Sequence, residues 1–153
     1  MKNLNPDKFI GYRHKANGFG ALLLLILFVC LTAFQDNQKI NGTWTGTDFH
    51  FKQFKGPDIS EMIKGGRDLH VGGQLILNDD GNYQIKDPYG MINGQGTWHM
   101  ENQHAFTTID ESGESTTYEI RSIGPEELIT VHQVAMETPE GMVEGDITLI
   151  YNK

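Results

Sequence analysis

The chain has 153 residues, a formal charge of -8 from 12 Lys and Arg against 20 Asp and Glu, and one cysteine. Residues 1–33 hold Lys2, Lys8, Arg13 and Lys15 against Asp7 alone, so the other 120 residues carry 8 basic and 19 acidic side chains, a net of about -11. That length makes one domain. Its acidity without any basic cluster excludes nucleic-acid binding, and its lack of cysteine excludes a disulfide, a cysteine nucleophile and a thiolate metal site.

The first element is apolar. No charged residue occurs from Ala16 to Phe34, and Leu22 to Val29 reads LLLLILFV behind Arg13, His14 and Lys15. A positive flank followed by such a run is a membrane-targeting segment, expected as an N-terminal hydrophobic helix over residues 1–34. The flank stays in the cytoplasm, which exports the domain at 35–153 to the periplasm or the cell surface. Three fates are open: cleavage after Ala33, retention of residues 16–34 as an anchor, or lipidation at Cys30, where Leu27-Phe28-Val29-Cys30 resembles a bacterial lipoprotein box. The membrane is then met only through this segment.

Beyond Phe34 short alternating runs are divided by Gly, Asn, Asp and Pro, as in a chain of antiparallel strands. Eight runs are expected, at Gly42–Phe51, Gly73–Asn78, Asn82–Asp87, Gly94–Met100, His104–Asp110, Ser115–Ser122, Leu128–Ala135 and Gly145–Tyr151. Asn78-Asp79-Asp80-Gly81 and Glu111-Ser112-Gly113-Glu114 supply tight turns, and Glu137 to Gly141 reads as a loop. Neighbours this close in sequence pair as an up-and-down meander. Joining the first strand to the last removes two open edges, so the expected fold is an all-β, eight-stranded antiparallel barrel with room inside for side chains or one small ligand.

The first connection is long, and Gly56 to Gly66 within it reads as a two-turn helix. Pro57 suits its first position, Lys64 its last turn and Gly65 its stop. Ile59, Met62 and Ile63 fall on one side at helical spacing and are expected to lie over the barrel mouth, as plug or as lid.

Gly42-Thr43-Trp44 in the first run, followed by Leu75-x-Leu77-x-Asp79-Asp80-Gly81-x-Tyr83 and Gly96-Thr97-Trp98, resembles the lipocalin-like (calycin) domains of small bacterial secreted proteins. The resemblance covers residues 40 to 151. It implies that Trp44 closes the barrel floor under a basic residue from the last strand, a pattern from which this chain departs in offering only Lys153 at its very end, and that the cup binds a small apolar molecule without catalysis or cofactor. The alternation sets Trp44, Leu75, Leu77, Tyr83, Ile85, Trp98, Phe106, Tyr118, Ile120, Ile147 and Leu149 on the expected lining. In the seventh run both phases are apolar, so no lining residue is assigned there.

Five histidines follow the targeting segment. His99 and His104 flank a turn, but Trp98 pointing inward turns His99 to solvent; Asp48, His50 and His70 make a conceivable three-ligand rim site. A haem-binding ten-stranded barrel would need more strands and a proximal histidine. Neither a Gly-x-Ser-x-Gly elbow nor a phosphate-cradling glycine loop occurs, so the expectation is a binding module and not an enzyme. The rival reading is an envelope interaction protein with a filled barrel and an external partner surface. Neither reading specifies the oligomeric state.

Overall fold

The computed structural model describes residues 39–153; the hydrophobic helix expected at 1–34 lies outside the described residues. Among the described residues there are eight strands: β1 (Gly42–Lys55), β2 (Gln74–Leu77), β3 (Asn82–Lys86), β4 (Ile92–Asn102), β5 (Ala105–Asp110), β6 (Ser115–Ile123), β7 (Glu127–Thr138) and β8 (Gly141–Asn152). One helix, α1 (Ser60–His70), joins β1 to β2. Each strand pairs antiparallel with its neighbours in sequence, and β1 pairs with β8 from Thr45↔Asn152 to Lys55↔Glu144, so the sheet closes into a barrel. Among the described residues no helix is long and apolar enough to cross a membrane.

Up-and-down order divides the connections between two ends. The β2–β3, β4–β5 and β6–β7 turns share one end with Ile40 and Lys153; α1 and the β3–β4, β5–β6 and β7–β8 turns share the other. At the first end Trp44 is fully buried, its indole Nε1 donating to the Ile40 carbonyl at 2.6 Å. The Lys153 ammonium stands 4.4 Å from the centre of that ring, a cation–π contact, so a basic residue does cover the tryptophan although it sits past the end of β8. Trp44, Leu77, Phe106, Leu128 and Val143 are the largest fully buried apolar side chains.

The strands are unequal. β2 meets β1 only from Gly42 to Thr45. The edge of β1 beyond that point is covered by α1, a standard answer to an exposed strand edge. The Gly46 N–H donates to the Gly73 carbonyl at 2.8 Å, and the Gly72 N–H donates to the Gly46 carbonyl at 2.8 Å. Arg67 donates to the Asp48 carboxylate and, at 3.0 Å, to the Phe49 carbonyl. A Cβ on Gly46 would lie 2.2 Å from the His70 carbonyl oxygen, so only glycine fits where the end of α1 crosses β1. Gly46→Ala is therefore expected to destabilise the domain by about 2–3 kcal/mol. A urea midpoint unchanged from wild type would show that α1 is not packed there.

Two expectations are corrected. The helix does not run from Pro57 to a stop at Gly65: it begins at Ser60, whose N–H is held by the Asp58 carboxylate, and continues through Gly65 and Gly66 to His70. The glycine pair is a poor helix former, but Arg67 and the 46/72 and 46/73 hydrogen bonds fix the following turn on β1, and tertiary anchoring overrides local preference. The stretch from Glu137 to Gly141 is not a loop either. β7 and β8 pair from Glu127↔Asn152 to Thr138↔Gly141, leaving Pro139-Glu140 as the turn of a long hairpin. Its β8 partner β1 also extends to Lys55, so β7, β8 and β1 stand as the tallest wall of the barrel.

Candidate functional site

The interior is the site to which the folding pattern leads. Every expected lining residue on a strand faces inward: Trp44, Leu75, Leu77, Tyr83, Phe106, Ile120 and Leu149 are buried in the core, with Ile85, Trp98, Tyr118 and Ile147 half-buried against it. The three helix residues divide. Ile63 packs on the core, and Ile59 is buried beside a cleft of about 240 Å³ between the start of α1 and the Thr138–Glu140 turn. Met62 is instead 53% exposed, because it projects from the side of α1 away from the barrel core.

Aromatic contacts carry the lining from strand to strand. Trp98 on β4 meets Phe106 on β5 edge-on at 6.4 Å between ring centres, Phe106 stacks on Tyr118 of β6 at 4.9 Å, and Tyr118 meets His132 of β7 edge-on at 4.8 Å. His132 is paired with Ile147 on β8, and Ile147 with Phe51 on β1. An unbroken inner row of six strands results. Only Phe106 within it is fully buried; the other five stay half-buried.

Several of these residues escaped the sequence pattern. In β1 the register slips between Gly46 and Asp48. This bulge reverses the alternation, so Phe49 and Phe51 turn inward while Asp48 and His50 turn out. In β7 the inward phase is Leu128, Thr130 and His132, and in β8 Tyr151 joins Ile147 and Leu149. The Phe51 ring lies where a side chain at position 145 would stand, since a Cβ on Gly145 would be 2.5 Å from it.

The wall is not wholly apolar. The Thr108 hydroxyl acts on both the Tyr83 and the Tyr118 phenols, drawing each down against the effect of burial. Burial raises the Tyr83 phenol, pushes that of Tyr118 up to about 12 and raises that of Tyr151 well above its ordinary value, so all three stay protonated hydrogen-bonding groups. Burial likewise pushes His132 down to about 4, with the Asp146 carboxylate pulling weakly the other way, so the imidazole is neutral at pH 7.

The other histidines do not converge. His50 pairs with Asp48 at 3.2 Å and His99 with Glu101 at 2.9 Å, both on the exposed surface. His70 directs Nε2 to the Ile150 carbonyl at 3.2 Å and sets its ring edge-on to Tyr151 at 4.8 Å. The rim arrangement of Asp48, His50 and His70 is therefore not a metal seat. The Phe49 N–H, and then Arg67, hold the Asp48 carboxyl below its usual range, and the guanidinium occupies the place a cation would take. Among the described residues no three His, Cys, Asp or Glu side chains are grouped to hold a metal ion.

The barrel lining is mainly apolar, with a few uncharged hydrogen-bonding groups among it. No protein-family model matches the chain, and no curated protein is similar enough to it to count as a relative.

Proposed function

We propose that residues 35–153 form an exported, lipocalin-like binding module that takes a small apolar molecule into its barrel and does no chemistry on it. The observation that carries this reading is the inner row from Trp98 to Phe51, where a closed barrel keeps five side chains half-buried. Interiors packed only for stability bury such groups fully. The Trp44 and Lys153 pair supports the lipocalin-like likeness. Export rests on the apolar run with its basic flank at residues 13–34.

Native mass spectrometry of protein isolated from its host, with organic extraction of the same sample, is expected to find a bound apolar molecule in sub-stoichiometric to equal amount. Protein that is repeatedly empty and gains no mass with added alkanes or alcohols would reject the reading. That outcome favours the rival, an envelope interaction protein. Its support is the β3–β4 turn, where Tyr89, Met91 and Ile92 are 89%, 62% and 50% exposed.

A further inference from the structure

The β3–β4 turn holds Tyr89, Met91 and Ile92 exposed on a fixed frame. That frame is the buried Asp87: one carboxylate oxygen accepts from the Tyr89 and Met91 N–H groups, each at 2.9 Å, while the Asp87 N–H donates to the Met91 carbonyl at 2.9 Å and the Gly90 N–H donates to the Asp87 carbonyl at 3.0 Å. Apolar groups presented this way lose little freedom when a partner covers them. Just after the turn, the stretch from Ile92 to Gln95 pairs with β3 alone among the described residues, because the ladder to β5 begins at Gly96↔Asp110. Its open side borders a shallow groove of about 430 Å³, whose far wall is Asp110, Glu111 and Ser112. Strand edges are commonly shielded by lysine or proline, and Ile92-Asn93-Gly94-Gln95 contains neither.

Charge narrows what can lie in the groove. Asp110 and Glu111 line it, and no lysine or arginine does among the described residues; Lys86 is paired with Ile92 from the β3 side. The Ser112 hydroxyl, helped by N–H groups of the same turn, holds the Asp110 carboxyl below its usual range, so it is ionised at neutral pH. The Gln95 amide donates to the Glu111 carboxylate at 2.7 Å. An anionic surface would be repelled here, and a second copy would set these carboxylates against their own kind. A chain segment carrying lysine or arginine beside apolar residues meets both the carboxylates and the Tyr89, Met91 and Ile92 side chains. In extended form it would also hydrogen-bond to the open side of β4.

We propose that this face docks an extended basic segment of a partner protein, which adds as a strand to β4 along Ile92–Gln95 and covers Tyr89 and Met91. The docking lies outside the barrel wall and does not depend on what the interior holds, so it stands or falls apart from the binding-module reading. The test uses protein isolated from its host, titrated at pH 7.5 and low salt with three fluorescein-labelled octapeptides and read by fluorescence anisotropy. One alternates Val with Lys, one alternates Val with Glu, and the third is the Val and Lys peptide with every second backbone nitrogen methylated. The unmethylated Val and Lys peptide is expected to bind at least about ten-fold more tightly than either of the others and to slow hydrogen exchange of the amides between Ile92 and Gln95. Replacing two exposed side chains together, Tyr89→Ser with Met91→Ser, should weaken it about ten-fold, and Glu111→Lys should weaken it as well. Failure of that peptide to bind, equal binding of the Lys and Glu peptides, binding that survives methylation, or unchanged affinity in the double variant would overturn the proposal. So would unchanged exchange between Ile92 and Gln95. Dimerisation of the protein alone that the double variant abolishes would assign the surface to a second copy, and flotation with phosphatidylcholine vesicles that it abolishes would assign it to a lipid; either result also overturns the basic segment.

Discussion

Trp44→Ala is expected to cost about 4 kcal/mol of folding stability, the largest loss of any single change in this domain, since truncating a fully buried Trp or Phe costs about 3–5 kcal/mol. The indole is completely buried, it fills the end of the barrel where β1, β2 and β8 meet, and it ties the incoming chain through its bond to the Ile40 carbonyl. With about 5–15 kcal/mol holding a typical domain together, such a loss leaves a substantial unfolded population. Trp44→Phe keeps an aromatic filler and gives up the Nε1 hydrogen bond, for about 1–2 kcal/mol. Lys153→Met removes only the cation over the ring, about 0.5–1 kcal/mol. Urea unfolding of the three variants should rank them in that order. A Trp44→Ala midpoint close to wild type would mean that the indole does not close the barrel.

Stability should fall between pH 6.5 and pH 4 because of His132. Its imidazole titrates near 6.5 in the unfolded chain and at about 4 in the folded one. As pH drops below 6.5 the unfolded chain takes up a proton that the buried ring refuses, so stability is intact above 6.5, declines through the interval and loses nothing more from this residue below 4. The full interval corresponds to at most about 3 kcal/mol, and the step from pH 7 to pH 5 to about 2 kcal/mol. His70, also lowered by burial, adds loss of the same sign. Asp48, Asp80, Glu101 and Asp110 are held below the usual carboxylate range. Their contribution is present above the unfolded carboxylate pKa and is lost only as pH falls through their lowered folded values, in more acidic solution. His132→Phe should flatten the urea midpoint between pH 7 and pH 5, leaving the share of His70. If wild type and variant decline equally over that interval, His132 is not buried as a neutral group.

The two-residue rhythm of apolar side chains was legible along most of the domain, and with it the eight strands, their meander and the closure of the first on the last. Alternation is a local property of an extended chain, and turn residues mark its ends, so both can be read from neighbours in sequence. Leu75, Tyr83 and Phe106 were placed inward for that reason alone, and Trp44 also by the resemblance carried by Gly42-Thr43-Trp44. Phe49 and Phe51 were not, because a bulge after Gly46 shifts the phase and is set by the crossing of α1 over β1, between residues far apart in sequence. β7 was ambiguous since Ile129 and Val131 are as apolar as Leu128 and Val134; the pairing with Ile147 and Leu149 chooses Thr130 and His132.

By itself the amino-acid order determined the strands and their sequence of pairing, because both depend on short-range alternation and on burying one face of a sheet. Tertiary contact alone decided where α1 stops, how far the β7–β8 hairpin reaches and which face of β7 meets the interior. Those choices compare the energies of two arrangements that look alike locally, and only the partner strand or helix across the barrel makes them unequal.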